Sequence, residues 1–166
     1  MLGEAEAAED AAQETFLRAY QNLHRYDRSR PFTTWLLSIG AHYCIDRLRR
    51  RKLPAFSMDE ERDDGTTFEF ADPASLDPEA ESAEREERDR LHRLLSKLDA
   101  TDRAAVILRY WYDCSEVEIA QSLKLTVSAV KSRLHRSRRA LAGLWQEEDD
   151  DAAIQVERKR HAMPVF

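Results

Sequence analysis

The chain has 166 residues, with 32 acids against 26 lysines and arginines for a formal charge of -6, and a mean hydropathy of -0.68. A chain of that length and polarity makes one modest domain or two small ones, with limited apolar material for a core. It shows no apolar run of membrane-spanning length, an acidic start at Glu4, Glu6, Glu9 and Asp10 unlike a signal peptide, and two cysteines, Cys44 and Cys114, without disulfide or zinc spacing; a cytoplasmic protein in a reducing compartment is expected.

The periodicity predicts a first helix over about 4–23, with Ala12, Phe16, Ala19, Tyr20 and Leu23 as its buried stripe. Asp10, Gln13, Glu14 and Leu17 fall on a different face, where a leucine framed by polar groups reads either as an ordinary exposed side chain or as a partner surface. Residues 24–31, HRYDRSRP, form a polar loop, and Pro31 suits the first turn of a second helix over about 32–52. That helix is apolar on nearly every side at first, then ends in Arg47, Arg49, Arg50, Arg51 and Lys52. Cations oppose the dipole at a helix C-terminus, but five in six positions exceed what a cap needs. With Tyr26, Phe32, Trp35 and Tyr43 nearby, the block fits a surface that holds a nucleic-acid backbone while aromatics meet bases, although each aromatic taken singly fits a core better than a base-stacking role.

Residues 54–83 carry Pro54, Pro73, Pro78, Gly65 and scattered acids, which predicts a mobile linker. The charge is concentrated here: 57–89 holds fourteen acids against Arg62, Arg85 and Arg88, a net of 3 - 14 = -11, so the rest of the chain is net basic. A helical pattern resumes at about 84 with Leu91, Leu94, Leu95 and Leu98. Asp99 or Thr101 then caps a helix whose inner side is Ala104, Ile107, Leu108 and Trp111.

Residues 115–144, SEVEIAQSLKLTVSAVKSRLHRSRRALAGL, read as two helices joined by a tight turn, a helix-turn-helix. Ser115 and Glu118 have capping-box spacing, Lys124 sits in the turn, Thr126 caps the second helix and Leu125 can staple onto Val130. Val127, Val130, Leu134 and Leu141 face inward. Ser128, Lys131, Ser132, His135 and Arg139 share the opposite side, with Arg133, Arg136 and Arg138 on its flanks. A solvated face ordinarily mixes signs, whereas no acid occurs between Thr126 and Leu144, a self-repelling pattern that phosphates would neutralise. After Trp145, an acidic and then basic stretch over 146–166 is expected to be disordered. The five histidines have neither ligand spacing nor a nucleophile partner, so no catalytic residue, cofactor or metal site is expected. The fold expected is all-α: a helical module over 1–53, the acidic linker, and a four-helix unit over 84–145 ending in the helix-turn-helix.

In order, AEDAAQETFLRAYQNL (8–23), PFTTWLLSIGAHYCIDRLRRRK (31–52) and, after the linker, 95–141 together resemble an extracytoplasmic-function sigma factor of the sigma-70 family. The resemblance implies a dissociable, non-catalytic subunit of bacterial RNA polymerase that directs the core enzyme to promoters and helps open them. It implies that Asp10, Gln13, Glu14 and Leu17 dock on the clamp helices of the largest core subunit, and that the flap of the second subunit, promoter DNA and an anti-sigma factor are further partners. It gives Tyr26, Asp27, Arg28, Ser29, Arg30, Trp35, Tyr43, Arg47, Arg50 and Arg51 to the minus-10 element, with the loop at 27–31 taking a flipped base. It gives Ser128, Lys131, Ser132, His135 and Arg136 to the bases of the minus-35 element, and Arg133, Arg138 and Arg139 to its backbone. The linker would thread toward the RNA exit path. Family members carry a further helix ahead of 8–23, and Met1, Leu2 and Gly3 resemble the loop after it; lacking that helix, the stripe at Phe16 and Tyr20 would be partly uncovered. The alternative is a helix-turn-helix regulator that acts without being a polymerase subunit, which leaves the basic, aromatic helix over 32–52 unexplained.

Overall fold

In the computed structural model, which describes residues 1–52 and 78–161, small side chains decide how the first two helices meet. α1 (Ala5–Gln21) buries Ala7, Ala11 and Ala19 and lies along α2 (Phe32–Lys52), where a Cβ at Gly40 would sit 3.2 Å from Thr15 Oγ1. The helices therefore cross where neither carries bulk. The expected stripe is overturned in consequence, except at Ala19: Ala7 and Ala11 face in with it, whereas Ala12 is exposed and Phe16, Tyr20 and Leu23 are 64%, 80% and 51% exposed. A short 3-10 turn (Leu23–Arg25) leads from α1 toward the loop before α2.

α3 (Pro78–Lys97) starts six residues before the expected position, at a proline, whose fixed backbone angle suits a first helical turn. The rest of the expected linker, 54–77, lies outside the described residues. α4 (Ala100–Tyr110) is capped by Asp99, whose carboxylate accepts the Thr101 amide at 2.9 Å. The buried Arg103 closes the preceding turn by donating to the Ser96 and Leu98 carbonyls at the end of α3, and also to the Met1 carbonyl at 2.8 Å. Trp111, expected inside, is exposed, because α4 ends one residue earlier and the chain turns away through Asp113 at φ 48°.

α5 (Glu116–Leu123) and α6 (Val127–His161) complete the second unit. α6 continues to His161, a correction to the disorder expected from 146. Arg90 of α3 stacks over the Trp145 ring at 3.9 Å and pairs with Glu148 and Asp149, while Lys97 reaches Glu148 at 3.2 Å. Glu148 and Asp149 are thus counter-charges to α3, and the helix persists over them.

The two modules share one core. Ala41 and Ile45 of α2 belong to the same buried cluster as Leu95, Leu98, Ala104, Leu108, Ile119, Val130 and Leu134. The reason lies in α2 itself: a helix apolar on nearly every side needs cover on more than one, and α1 supplies only the first. α4 and α5 supply the second, and Arg49 Nη2 donates to Thr101 Oγ1 at 3.1 Å across the seam. An apolar groove of about 350 Å³ opens where α1, α2 and α4 meet, lined by Leu2, Phe16, Leu37, Ala104, Ile107 and Tyr112 among others.

Candidate nucleic-acid interface

Ser115 accepts the Glu118 amide, and Glu118 accepts the Ser115 amide at 2.8 Å and its hydroxyl at 2.7 Å, so the capping box of α5 is closed in both directions. These bonds from Ser115 hold the Glu118 carboxyl below the usual carboxylate range. α5 ends at Lys124, whose left-handed conformation (φ 55°, ψ 45°) reverses the chain, with the Leu125 amide donating back to the Ala120 carbonyl at 2.9 Å. Thr126 Oγ1 accepts the Ala129 amide at 3.1 Å and starts α6. Ile119, Ala120 and Leu123 pack against Val130 and Leu134 of α6, which fixes the angle between the two helices.

This packing turns the other side of α6 to solvent. Ser128, Lys131, Ser132, His135, Arg136, Arg138 and Arg139 are exposed together. Among the described residues, Arg136, Arg138 and Arg139 make no ion pair. Lys131 lies 3.5 Å from Glu116 in the first turn of α5, an exposed pair whose net strength is small and which leaves the ammonium available. Arg133 differs from the rest. It turns inward, where its Nη1 meets Asp102 Oδ1 of α4 at 2.5 Å.

The residues expected at the minus-10 element separate into two groups. Tyr26, Phe32 and Trp35 form one aromatic cluster, with ring centroids 5.2 to 5.6 Å apart. The Tyr26 hydroxyl donates to the Arg30 carbonyl, and Asp27 accepts the Ser29 amide at 2.9 Å, which shapes the exposed loop carrying Arg28. That amide is also the first reason the Asp27 carboxyl sits below its usual range. Tyr43 stands apart, two turns further along α2, with the Arg18 guanidinium over its ring at 4.9 Å. Arg47 and Arg51 beside it pair with Asp10 at 3.5 Å and Glu4 at 3.0 Å of α1, whereas Arg50 is exposed.

Comparison with known proteins decides what these two surfaces belong to. Residues 1–53 match the family described as Sigma-70 region 2, and 88–141 match Sigma-70, region 4. The chain is 35% identical to the ECF RNA polymerase sigma factor SigW of Bacillus subtilis, over 85% of this chain and 76% of that one. It is 32% identical to SigL of Mycobacterium tuberculosis, over 89% and 79% of the two chains. The chain belongs to the extracytoplasmic-function sigma factors of the sigma-70 family. Among solved structures it is similar to CnrH in complex with the cytosolic domain of CnrY (TM-score 0.58, 28% identity, covering 86% of this chain and 73% of that one). It also shares the fold of the sigma factor RpoE of Bartonella quintana, solved with the anti-sigma factor NepR (TM-score 0.62, 21% identity, covering 87% and 84%).

This sigma factor is therefore an RNA polymerase subunit for transcription initiation, and the region 2 match disfavours a regulator that works without polymerase. On its α1, Asp10, Gln13 and Leu17 are exposed, while Glu14 is half-buried and bonded to Arg18 at 2.6 Å. The face is broader than the sequence indicates, since Phe16 and Tyr20 beside Leu17 are also in solvent. Sequence reasoning missed Asp102 and Glu116, the acids that meet Arg133 and Lys131. Both lie on helices other than α6, and no spacing rule within one helix exposes such pairs. Among the described residues no group of histidine, cysteine and carboxylate side chains could hold a metal ion, and no helix is long and apolar enough to cross a membrane.

Proposed function

We propose that this sigma factor reads promoter DNA with two surfaces: the outward face of α6 at the minus-35 element, and the loop over 26–31 with the first half of α2 at the minus-10 element. The observation that carries the reading is the shared exposure of Ser128, Lys131, Ser132, His135, Arg136, Arg138 and Arg139 on a helix whose other side is locked into a core. Small hydroxyls at the start of α6 allow close approach to the groove floor, Lys131 can reach guanine, and Arg138 and Arg139 neutralise phosphates. In the N-terminal module, Tyr26 and Trp35, with Phe32, offer ring faces and edges for an unpaired base, with Arg28 and Arg30 on the backbone. Arg50, Arg47 and Arg51 extend that cationic track, the last two after giving up their α1 carboxylates. Asp10, Gln13, Glu14 and Leu17 dock the clamp helices of the largest core subunit, and the second module meets the flap of the second subunit. The protein performs no chemistry of its own, and works in the cytoplasm, where polymerase is. The chain's likeness to CnrH, solved with the cytosolic domain of CnrY, supports a protein partner that binds the sigma factor itself, and we read that partner as an anti-sigma factor.

The test is run-off transcription with purified bacterial core polymerase, with and without this chain, on a library randomised at both elements. Initiation from a restricted set of sequences is expected. Absence of initiation from every sequence would remove the reading.

A further inference from the structure

The sequence groups Arg133 with the arginines that meet DNA, yet its surroundings are unlike theirs. Its guanidinium meets the Asp102 carboxylate at 2.5 Å, and the two side chains are only 30% and 20% exposed. For comparison, Lys131 and Glu116 stand 3.5 Å apart at 62% and 40% exposure. In helical register Arg133 is three residues after Val130 and four before Ser137, which are 0% and 2% exposed, so it occupies the edge of the buried stripe. Ser128, Ser132, His135 and Arg139 lie on the other side.

Asp102 is equally placed. It belongs to the first turn of α4, where the helix dipole favours a carboxylate, and α4 is the most deeply buried helix of the second unit, with Ala104, Ala105 and Leu108 at 3% exposure or less. Its position is therefore fixed by the core. Val130 and Leu134 fill the seam beneath α6, but apolar packing tolerates small rotations of a helix about its axis. A partly desolvated, hydrogen-bonded ion pair does not, because its strength depends on direction.

We propose that Asp102 is a positioning residue for minus-35 recognition: by holding Arg133 it sets the rotation at which α6 presents Lys131, Ser132 and His135 to the bases, and Arg133 serves this link rather than a phosphate. The inference rests on the reading that α6 enters the groove. A rotation of a few degrees displaces side-chain tips by a fraction of an ångström, which matters for base contacts and little for flexible arginines on phosphates.

The experiment uses holoenzyme reconstituted with Asp102→Asn, Arg133→Ala, the double variant, and the charge swap Asp102→Arg with Arg133→Asp, and measures binding to minus-35 variants across a salt series. Asp102→Asn and Arg133→Ala should each reduce discrimination between the preferred element and its single-base variants by about 5- to 10-fold, with the double variant no worse than either. The salt slope should stay at the wild-type value, since no phosphate contact is lost. The swap should restore part of the discrimination, which separates positioning from a general loss of folding. The proposal is overturned if Arg133→Ala lowers the salt slope by about 1 and weakens every sequence alike while Asp102→Asn discriminates as wild type. Lys131→Ala runs beside them: if it too leaves discrimination untouched, the placement of α6 in the groove has failed, and the proposal with it.

Discussion

Thr34, near the start of α2, donates its hydroxyl to Glu118 Oε1 of α5 at 3.2 Å, so the carboxylate that closes the capping box of the helix-turn-helix also ties it to the N-terminal module. Glu118 titrates below its ordinary value of 4.5, first because of the Ser115 hydroxyl, then the Ser115 amide, with Thr34 contributing last. A carboxyl whose folded pKa is depressed contributes stability that is complete above the unfolded value and lost as pH falls through the folded one. Thermal unfolding of the wild type should therefore weaken below about pH 4.5 more steeply than that of Glu118→Gln. Ser115→Ala should cost about 1 kcal/mol at neutral pH. Parallel pH profiles for wild type and Glu118→Gln would show that the carboxylate contributes nothing through its charge.

Because Ala41 and Ile45 of α2 lie in the same cluster as Leu108, Ile119 and Val130, the modules should not unfold separately. Calorimetry of the intact chain should give one cooperative transition, and Ile45→Ala should lower the stability of the whole by about 2 to 4 kcal/mol. Two transitions, only one of them shifted by Ile45→Ala, would mean that the shared core does not couple the modules.

The helix-turn-helix was legible in the sequence because its signals are local. Ser115 with Glu118, Lys124 in the turn and Thr126 at a cap each act within four residues, and the structure keeps all of them. The side of α1 that faces inward was not legible. Phe16 and Tyr20 have the period of a buried stripe, but Gly40 on α2 makes the alanine side the closer fit, and that is a property of two helices together. The extent of α6 failed for a related reason, since the partners of Glu148 and Asp149, Arg90 and Lys97, lie more than fifty residues away. The apolar surround of α2 did contain the second contact, although its sequence could not say that α4 and α5 supply it.

On α6, base readout and backbone contact should separate by mutation. Lys131→Ala should relax sequence preference and cost about 1 to 3 kcal/mol at the preferred minus-35 element, whereas Arg138→Ala should weaken all sequences alike and reduce the salt slope by about 1. The exposed Glu116 carboxylate 3.5 Å from Lys131 competes only weakly with DNA, so Glu116→Gln should tighten binding slightly and leave the preference intact. Equal, sequence-independent losses for Lys131→Ala and Arg138→Ala would make α6 a backbone-binding helix alone.

The α1 face makes a separate demand, because docking on polymerase and internal packing use different sides of one helix. Gln13 and Leu17 are exposed, and the side chains that α1 buries, Ala7, Ala11 and Ala19, lie on the opposite face. Gln13→Ala and Leu17→Ala should therefore weaken affinity for core polymerase, with Leu17 the larger at about 1 to 2 kcal/mol, while circular dichroism and the melting transition stay where they were. Phe16 and Tyr20 supply a contrast that the structure makes possible. Both lie in solvent at 64% and 80%, so their replacement by alanine should also leave the fold intact, and any loss of core affinity would show that the docking face extends across them. Asp10 needs a different treatment, since its carboxylate already meets Arg47 at 3.5 Å; Asp10→Asn frees that guanidinium for the minus-10 backbone and should weaken core binding while tightening the melted strand. If all four alanine variants bind core as tightly as wild type, polymerase recognition lies elsewhere on the chain, and α1 serves only to cover α2.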